Sequence, residues 1–437
     1  MGRLLRGSRL FGESLWLALA QGGGIVARLA GVKALTTILT PSAYGEATLL
    51  LGIAAFGTNV FCLPVLQASL RFYPDAISAG RLPAFRALIG RSLAVALVAL
   101  LAALGIGAVI YDATGPGHLS GAAIACLAAL LVADTARMFE SGLLNAARRQ
   151  RAFSLWTLLD AIARPACAVA AALVFAATGT GVIAGNVAGC LLASLPFLPL
   201  LETSRKHPGS GEGNDEAWRS ETRAALRRFV GPLVPFALLG WVIGIGDRYV
   251  IAALAGTAAA GLYGAAYGLA SQPFLALSAL GVAAVRPILF AAAANGDGRT
   301  VARTVRRFAL VVAALGATGV IIVALLSRPI MRLLTGPAFV EASPLLVWIA
   351  AGYALQCLQY VFETILYARR ATGRLMVIQA IGAATAVALY ATLIPKYGAM
   401  GAAWATFGSF VASSLTSVVL SGGLPVLRGG DARISPR

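Results

Sequence analysis

The chain alternates long apolar runs with short polar breaks. Runs of about 20 or more mostly apolar residues cover 14–38, 44–70, 88–111, 119–144, 152–177, 180–201, 229–255, 259–285, 304–327, 342–367, 374–395 and 398–422. A helix of about 20 apolar residues crosses a hydrocarbon core of roughly 30 Å. In that solvent every backbone polar group must be satisfied within the structure, so the runs predict helices. The expected fold class is all-α, a polytopic membrane protein with about twelve transmembrane helices. The longest polar gap, Glu202 to Arg228, contains Pro208-Gly209-Ser210-Gly211-Glu212-Gly213-Asn214-Asp215 and has linker composition. It divides the chain into a six-helix lobe at 1–201, a linker at 202–228, and a second six-helix lobe with a short tail at 229–437.

Composition agrees with the pattern. Of the 437 residues, 59% are hydrophobic and only 12% charged. Soluble domains carry about 25% charged residues, so this chain is too poor in charge to cover a soluble surface of its size. The formal net charge of +18 would suggest a nucleic-acid partner in a soluble protein. Here the bases fall between the apolar runs, which makes them a topology signal and excludes nucleic acid. Alternate breaks carry Arg3, Arg6 and Arg9; Arg71, Arg81, Arg86 and Arg91; Arg148, Arg149 and Arg151; Arg205, Lys206, Arg219, Arg223, Arg227 and Arg228; Arg299, Arg303, Arg306 and Arg307; then Arg369, Arg370 and Arg374. The tail adds Arg428, Arg433 and Arg437, while the opposite set has only Arg328, Arg332 and Lys396. Both termini and the linker are therefore expected in the cytoplasm, with the chain in the inner membrane and its first run uncleaved. The five cysteines lie in apolar runs without metal or redox spacing, and His118 and His207 stand alone. No cofactor or metal is expected.

The chain reads as duplicated. Thr40-Pro41-Ser42-Ala43-Tyr44-Gly45 joins runs one and two, and Gly256-Thr257-Ala258-Ala259-Ala260-Gly261 joins runs seven and eight. Gly181-Val182-Ile183-Ala184-Gly185 opens run six, and Gly398-Ala399-Met400-Gly401-Ala402 opens run twelve. Both pairs are about 216 residues apart, as expected for a parallel repeat in a transporter.

Few motifs carry chemistry. Gly179-Thr180-Gly181-Val182-Ile183-Ala184 matches a dinucleotide fingerprint, but the preceding run has span length rather than strand length. A tight turn between spans is the simpler reading. Gly185 with Gly189, Gly240 with Gly244, and Gly264 with Gly268 have the spacing that lets helix backbones approach closely. Gly22, Gly23 and Gly24 would weaken a helix by roughly 1 kcal/mol each relative to alanine, which makes them a hinge candidate.

Charges inside spans cost at least about 2.5–3.5 kcal/mol at the bilayer centre unless paired or hydrated. Asp134, Arg137 and Glu140 are spaced three apart in span four, and Asp160 and Arg164 four apart in span five. These five can neutralise one another within and between the helices, as a structural network or as part of transport coupling. Asp247 and Glu363 are further coupling candidates. Arg28 and Lys33 have no acid on their own span, and Asp247 and Arg248 point about 100° apart on a helix, so they pair poorly. Arg286 lies near a span end and can snorkel. The basic residues of spans one and seven suggest a cationic lining that would hold an anion such as a phosphate.

Leu39-Thr40-Pro41-Ser42-Ala43-Tyr44-Gly45, Leu70-Arg71-Phe72-Tyr73, Gly246-Asp247-Arg248-Tyr249-Val250-Ile251 and Gly261-Leu262-Tyr263-Gly264-Ala265-Ala266-Tyr267 resemble the oligosaccharide-lipid flippases of bacterial polysaccharide synthesis. These belong to the multidrug/oligosaccharidyl-lipid/polysaccharide exporter superfamily. The resemblance implies two six-helix lobes rocking around a central cavity and a polyprenyl-diphosphate-linked oligosaccharide as substrate. It implies basic cavity residues at Arg28, Arg71 and Arg248, to which Lys33 is added from its place in span one. The implied role is export of O-antigen, capsule or exopolysaccharide units, and no enzyme activity. The implied partners are the lipid-linked glycan, membrane lipid, and a polysaccharide polymerase or other assembly proteins. Lipid II flippases usually have two further spans and an arginine near the place of Gly268, so the resemblance points away from lipid II. A cation-coupled multidrug exporter is the alternative, disfavoured because it would want a net acidic cavity. A membrane polysaccharide polymerase or ligase is the second alternative, disfavoured by short external loops.

Overall fold

The structure is a computed structural model that describes residues 2–114, 120–175, 177–199, 215–369, 371–423 and 425. His118, His207, Arg205, Lys206, Arg370, the run 208–214 and the arginines of the tail lie outside the described residues. Among the described residues the regular structure is helical, with no strand. The helices are α1 (Gly2–Ile38), α2 (Pro41–Gly57), α3 (Leu63–Ser78), α4 (Leu82–Thr114), α5 (Gly121–Ala146), α6 (Gln150–Val174), α7 (Gly179–Ser194), α8 (Asp215–Val230), α9 (Leu233–Ala294), α10 (Gly298–Leu334), α11 (Ser343–Ala368) and α12 (Thr372–Ser421). A π turn, Thr58–Cys62, joins α2 to α3 as one crossing leg.

Two helices are too long to cross once. At 1.5 Å per residue the 62 residues of α9 would reach about 93 Å, three times the hydrocarbon core. The chain folds back at Gly256, where φ is 84° and ψ 165°. Likewise α12 folds back at Gly398, with φ 53° and ψ −130°. Among the described residues nine helical stretches are long and apolar enough to cross a membrane, including both doubled ones. The protein is a polytopic all-α membrane protein.

Its connections repeat. At the α3–α4 turn, Ala79, Gly80 and Arg81 donate their N–H groups to the carbonyls of Asp75, Ile77 and Ala76. At the α9–α10 turn, Asn295, Gly296 and Asp297 donate to Ala291, Ala293 and Ala292, each position 216 residues later. Gly80 and Gly296 share a left-handed backbone, with φ of 68° and 69°. The α5–α6 and α11–α12 turns also match: Ala147→Leu143 and Arg149→Leu144 recur as Arg369→Ile365 and Ala371→Leu366. Asp297 caps α10 by accepting the Thr300 N–H at 2.9 Å. Hydrogen bonds from Thr300 hold its carboxyl below the usual carboxylate range.

The chain divides into two compact units, Met1–Leu39 with Glu46–Leu238, and Thr40–Gly45 with Leu239–Arg437. In the first, α1 and α7 both pack on α6, and α5 packs on α3, α4, α6 and α7. Gly185 and Gly189 make the α6–α7 approach close: a Cβ on either would lie within 2.5 Å of the Ala168 or Arg164 Cα. Gly240, Gly244 and Gly268 have no neighbour within 4 Å of such a Cβ, so the same spacing marks no close approach there. The apolar core includes Phe85, Ile89, Leu127, Leu131 and Ile183.

The end of the predicted linker is helical. Acids at Asp215 and Glu216 open α8, and Arg227 and Arg228 close it, which suits the helix dipole. Its face of Trp218, Leu226 and Phe229 turns onto the first unit. Leu226 is buried, Phe229 meets Phe72 edge-on with ring centroids 6.0 Å apart, and Arg81 lies over Trp218 at 5.6 Å.

In the second unit, α11 packs against both α10 and α12. The buried serines Ser409, Ser413, Ser417 and Ser421 recur every fourth residue of α12. Ser414 and Ser417 donate to the carbonyls of Leu355 and Gln359 on α11, at 3.0 and 3.3 Å, which supplies the polar adhesion that lipid-embedded helices need. The Thr40–Gly45 turn meets the start of the second arm of α9. Ser42 and Thr257 hydroxyls lie 2.7 Å apart. A Cβ on Gly45 would fall 1.9 Å from the Thr257 oxygen, and one on Gly261 2.0 Å from the Pro41 oxygen. No other residue fits at either place without displacing the backbone.

Candidate functional site

In the first unit, α5 and α6 place four charges together. Arg137 donates to Asp134 from Nη2 at 2.9 Å and pairs with Asp160 at 3.3 Å. Arg164 reaches Asp160 from Nε at 2.8 Å and Asp134 from Nη2. All four side chains are between 13% and 19% exposed. Two carboxylates and two guanidiniums thus close into a group with no net charge, which is how ionised side chains survive at membrane depth. The Cys190 sulfur of α7 lies 3.3 Å from Arg164 Nη2, held there by the close α6–α7 packing. Glu140 does not join them. It accepts two hydrogen bonds from Arg86 of α4, at 2.9 and 2.8 Å.

Arg28 differs. Helix α1 presses on α6 where a Cβ on Gly31 would lie 2.5 Å from Pro165 Cβ. Near that seam Arg28 is exposed, and among the described residues it has no hydrogen bond and no ion pair. Lys33 is half-buried on the same helix, and its carbonyl accepts the Thr37 hydroxyl at 2.7 Å. Arg71 is exposed and pairs with Asp75, one turn on, at 3.6 Å. Helix α1 runs unbroken through Gly22, Gly23 and Gly24, where a Cβ on Gly23 would press on Leu158 at 2.7 Å.

The second unit buries a polar cluster around the first arm of α9. Asp247 is 0% exposed. Its carboxylate accepts the Arg248 N–H at 2.8 Å, the Tyr263 hydroxyl and the Thr406 hydroxyl at 3.4 Å. These donors come from both arms of α9 and from α12. The Arg248 side chain points elsewhere, as the 100° step between neighbours requires, and lies over the Tyr267 ring with Cζ 4.4 Å from the centroid. Its Nε is buried without a partner, and among the described residues no ion pair holds it. Tyr353 of α11 holds that tyrosine by donating its hydroxyl to that of Tyr267 at 2.6 Å. Glu363 stands apart, buried on α11.

The arrangement separates charges by task. Asp134, Arg137, Asp160 and Arg164 satisfy one another, and Glu140 is satisfied by Arg86. Asp247 has three donors. Among the described residues nothing takes the remaining N–H groups of Arg28 and Arg248. Sequence reasoning missed the tyrosines 263, 267 and 353, Thr406 and Arg86. The spacing of Tyr263 and Tyr267 by four was a legible signal. Nothing local marked Thr406, which comes from another helix 159 residues from Asp247.

The fold is shared with solved membrane transporters. The chain is similar to the inward-closed lipid II flippase MurJ, with a TM-score of 0.63 and 14% identity over 96% of this chain and 90% of that one. It is also similar to an inward-facing MATE multidrug-resistance transporter of the MOP superfamily, with a TM-score of 0.62 and 10% identity over 94% and 95%. A Vibrio cholerae MATE transporter, VcmN, matches with a TM-score of 0.56 and 13% identity over 98% of each chain. At such identities the likeness establishes the fold. The pattern of the polysaccharide biosynthesis protein family matches residues 34–344, and the chain belongs to that family. No curated protein matches it.

Proposed function

We propose that this protein is a flippase that moves a polyprenyl-diphosphate-linked oligosaccharide across the inner membrane by alternating access. The observation that carries the reading is an arginine with no ion pair among the described residues in each unit, Arg28 on α1 and Arg248 on the first arm of α9. A guanidinium offers five N–H donors in a fork that matches phosphate geometry. A diphosphate would offset the cost of keeping such a group among apolar helices. Membership in the polysaccharide biosynthesis family supports a glycan cargo, and the flippase among the structural neighbours supports a lipid carrier. A cationic drug would find the acids of α5 and α6 already neutralised. Lys33 and Arg71 are proposed as secondary phosphate contacts, and Gly22–Gly24 as the point where α1 bends between states.

Reconstitution tests the reading. Purified protein in liposomes should carry a fluorescent prenyl-diphospho-oligosaccharide from the inner to the outer leaflet, where an added glycosidase trims it. Transport of a cationic dye with no movement of the glycolipid would favour the multidrug reading.

Both termini and the linker are proposed to face the cytoplasm. A cysteine placed at Thr257 should react with an impermeant maleimide in intact cells, and one placed at Gly211 should not. Labelling at Gly211 would reverse the topology.

A further inference from the structure

Glu363 takes no part in the cluster around Asp247. It is 3% exposed, and among the described residues its carboxyl has one hydrogen-bond partner. That partner is Gln359, one turn earlier, whose Nε2 donates to Oε1 at 2.7 Å. Gln359 is also 3% exposed, and its own Oε1 is buried with no partner. One turn beyond Glu363 comes Tyr367. Arg286 of α9 lays its guanidinium over that ring, Cζ 4.8 Å from the centroid. Arg286 is half-buried, and its Nε is buried without a partner. Glu363 thus sits one turn before the ring that Arg286 covers, yet among the described residues no ion pair joins the two.

The neighbours leave few other ways to satisfy these groups. On α11 the residues one turn to either side of Glu363 are Gln359, which donates to it, Tyr360 and Tyr367. From α12, Ser417 is committed to the Gln359 carbonyl. Two further bases near this end of α11 are tied to the end of α12: Arg369 donates to the Ser421 carbonyl and Arg374 to the Leu420 carbonyl, both at 2.9 Å. Among the described residues Arg286 is therefore the cation placed to answer a charged Glu363. Ionised, a carboxylate with a single amide donor would draw the guanidinium off the Tyr367 ring into an ion pair. Protonated, it would leave Arg286 where the structure has it, with N–H groups free for another anion.

We propose that Glu363 and Arg286 form a proton-controlled anion site, in which protonation of Glu363 releases Arg286 to bind the diphosphate of the cargo. The identity of the anion rests on the flippase reading. Proton and diphosphate then favour each other's binding by the same factor, because linkage is reciprocal. The proton comes from water and returns to it when the ion pair re-forms.

Binding of a short-chain prenyl-diphospho-N-acetylglucosamine to the purified full chain in nanodiscs tests this. Both phosphates of that probe are esterified, so its own charge is constant between about pH 5.5 and 8. The native protein should bind it about five- to tenfold more tightly at the acid end, in the ordinary range of coupling between two sites. Glu363→Gln, which preserves shape, should bind equally at both ends and at the tight level. Arg286→Gln should also lose the pH dependence, but at the weak level. A Glu363→Gln protein that keeps the slope, or that sits at the weak level, overturns the proposal, provided its gel-filtration profile is native. Equal binding by the native protein at both ends also overturns it and leaves the flippase reading standing. No binding by the native protein at either end removes the flippase reading and this proposal with it.

Discussion

Alanine in place of Arg248 is expected to abolish surface glycan while the protein still accumulates in the membrane. Lipid-linked oligosaccharide should build up on the cytoplasmic leaflet. Arg248 makes no ion pair among the described residues, and its buried Nε has no partner. Its side-chain contact is the face of Tyr267, worth about 0.5–2 kcal/mol. Asp247 keeps the Tyr263 and Thr406 hydroxyls and the residue 248 N–H after the change. Truncation therefore removes a desolvated charge while the hydrogen bonds to Asp247 stay in place. What is lost is the fork toward phosphate: each charge-assisted hydrogen bond contributes about 1.5–3 kcal/mol, so two amount to a factor of about 100 or more in binding. Lysine should restore part of the activity, because it keeps charge but not the bidentate geometry. Arg28→Ala should behave alike. The checks are an immunoblot of surface glycan, the lipid-linked pool, and protein level. Normal export at normal protein level would refute the cationic-site reading and strengthen the multidrug one. Loss of the protein itself would make Arg248 a structural residue.

The helices were legible because their signal is local. A span is a continuous apolar run, and its ends are marked by arginine, glycine or proline. The duplication left fainter local traces: the turns at Gly80 and Gly296 match in backbone and hydrogen bonds, but the residues around them share little beyond the glycine. Pairings within one helix were legible too, because three- and four-residue spacing puts Asp134 by Arg137 and Asp160 by Arg164. Pairings between helices were not. Glu140 has helical spacing to Arg137, yet it takes Arg86, because α4 continues past the apolar run and brings that arginine beside α5. Thr406 and Tyr353 reach the Asp247 cluster only through tertiary packing. Helix α8 was obscured by the glycine-rich segment before it, although Trp218, Leu226 and Phe229 already share a helical face.

Removing Asp134 should produce the opposite phenotype to removing Arg248. Asp134 accepts from both Arg137 and Arg164. With Asp134→Asn the group keeps two guanidiniums and one carboxylate, Asp160, and so carries a net positive charge between α5 and α6. Breaking a buried ion pair from one side costs about 3–5 kcal/mol, because the partner is left charged and uncompensated. That is a large fraction of the stability of an ordinary domain. The variant should therefore accumulate poorly and aggregate on extraction, as read by fluorescence-detected gel filtration. The double variant Asp134→Asn with Arg137→Gln restores neutrality, since Arg164 and Asp160 still pair at 2.8 Å. It should recover most of the monodisperse protein. That recovery separates the two readings of the network. If neutrality alone matters, the double variant also transports, and the four charges serve to hold α5 against α6. If the double variant is stable but inactive, transport needs the ionisable side chain of Asp134 or of Arg137 itself, and not only the charge balance of the group.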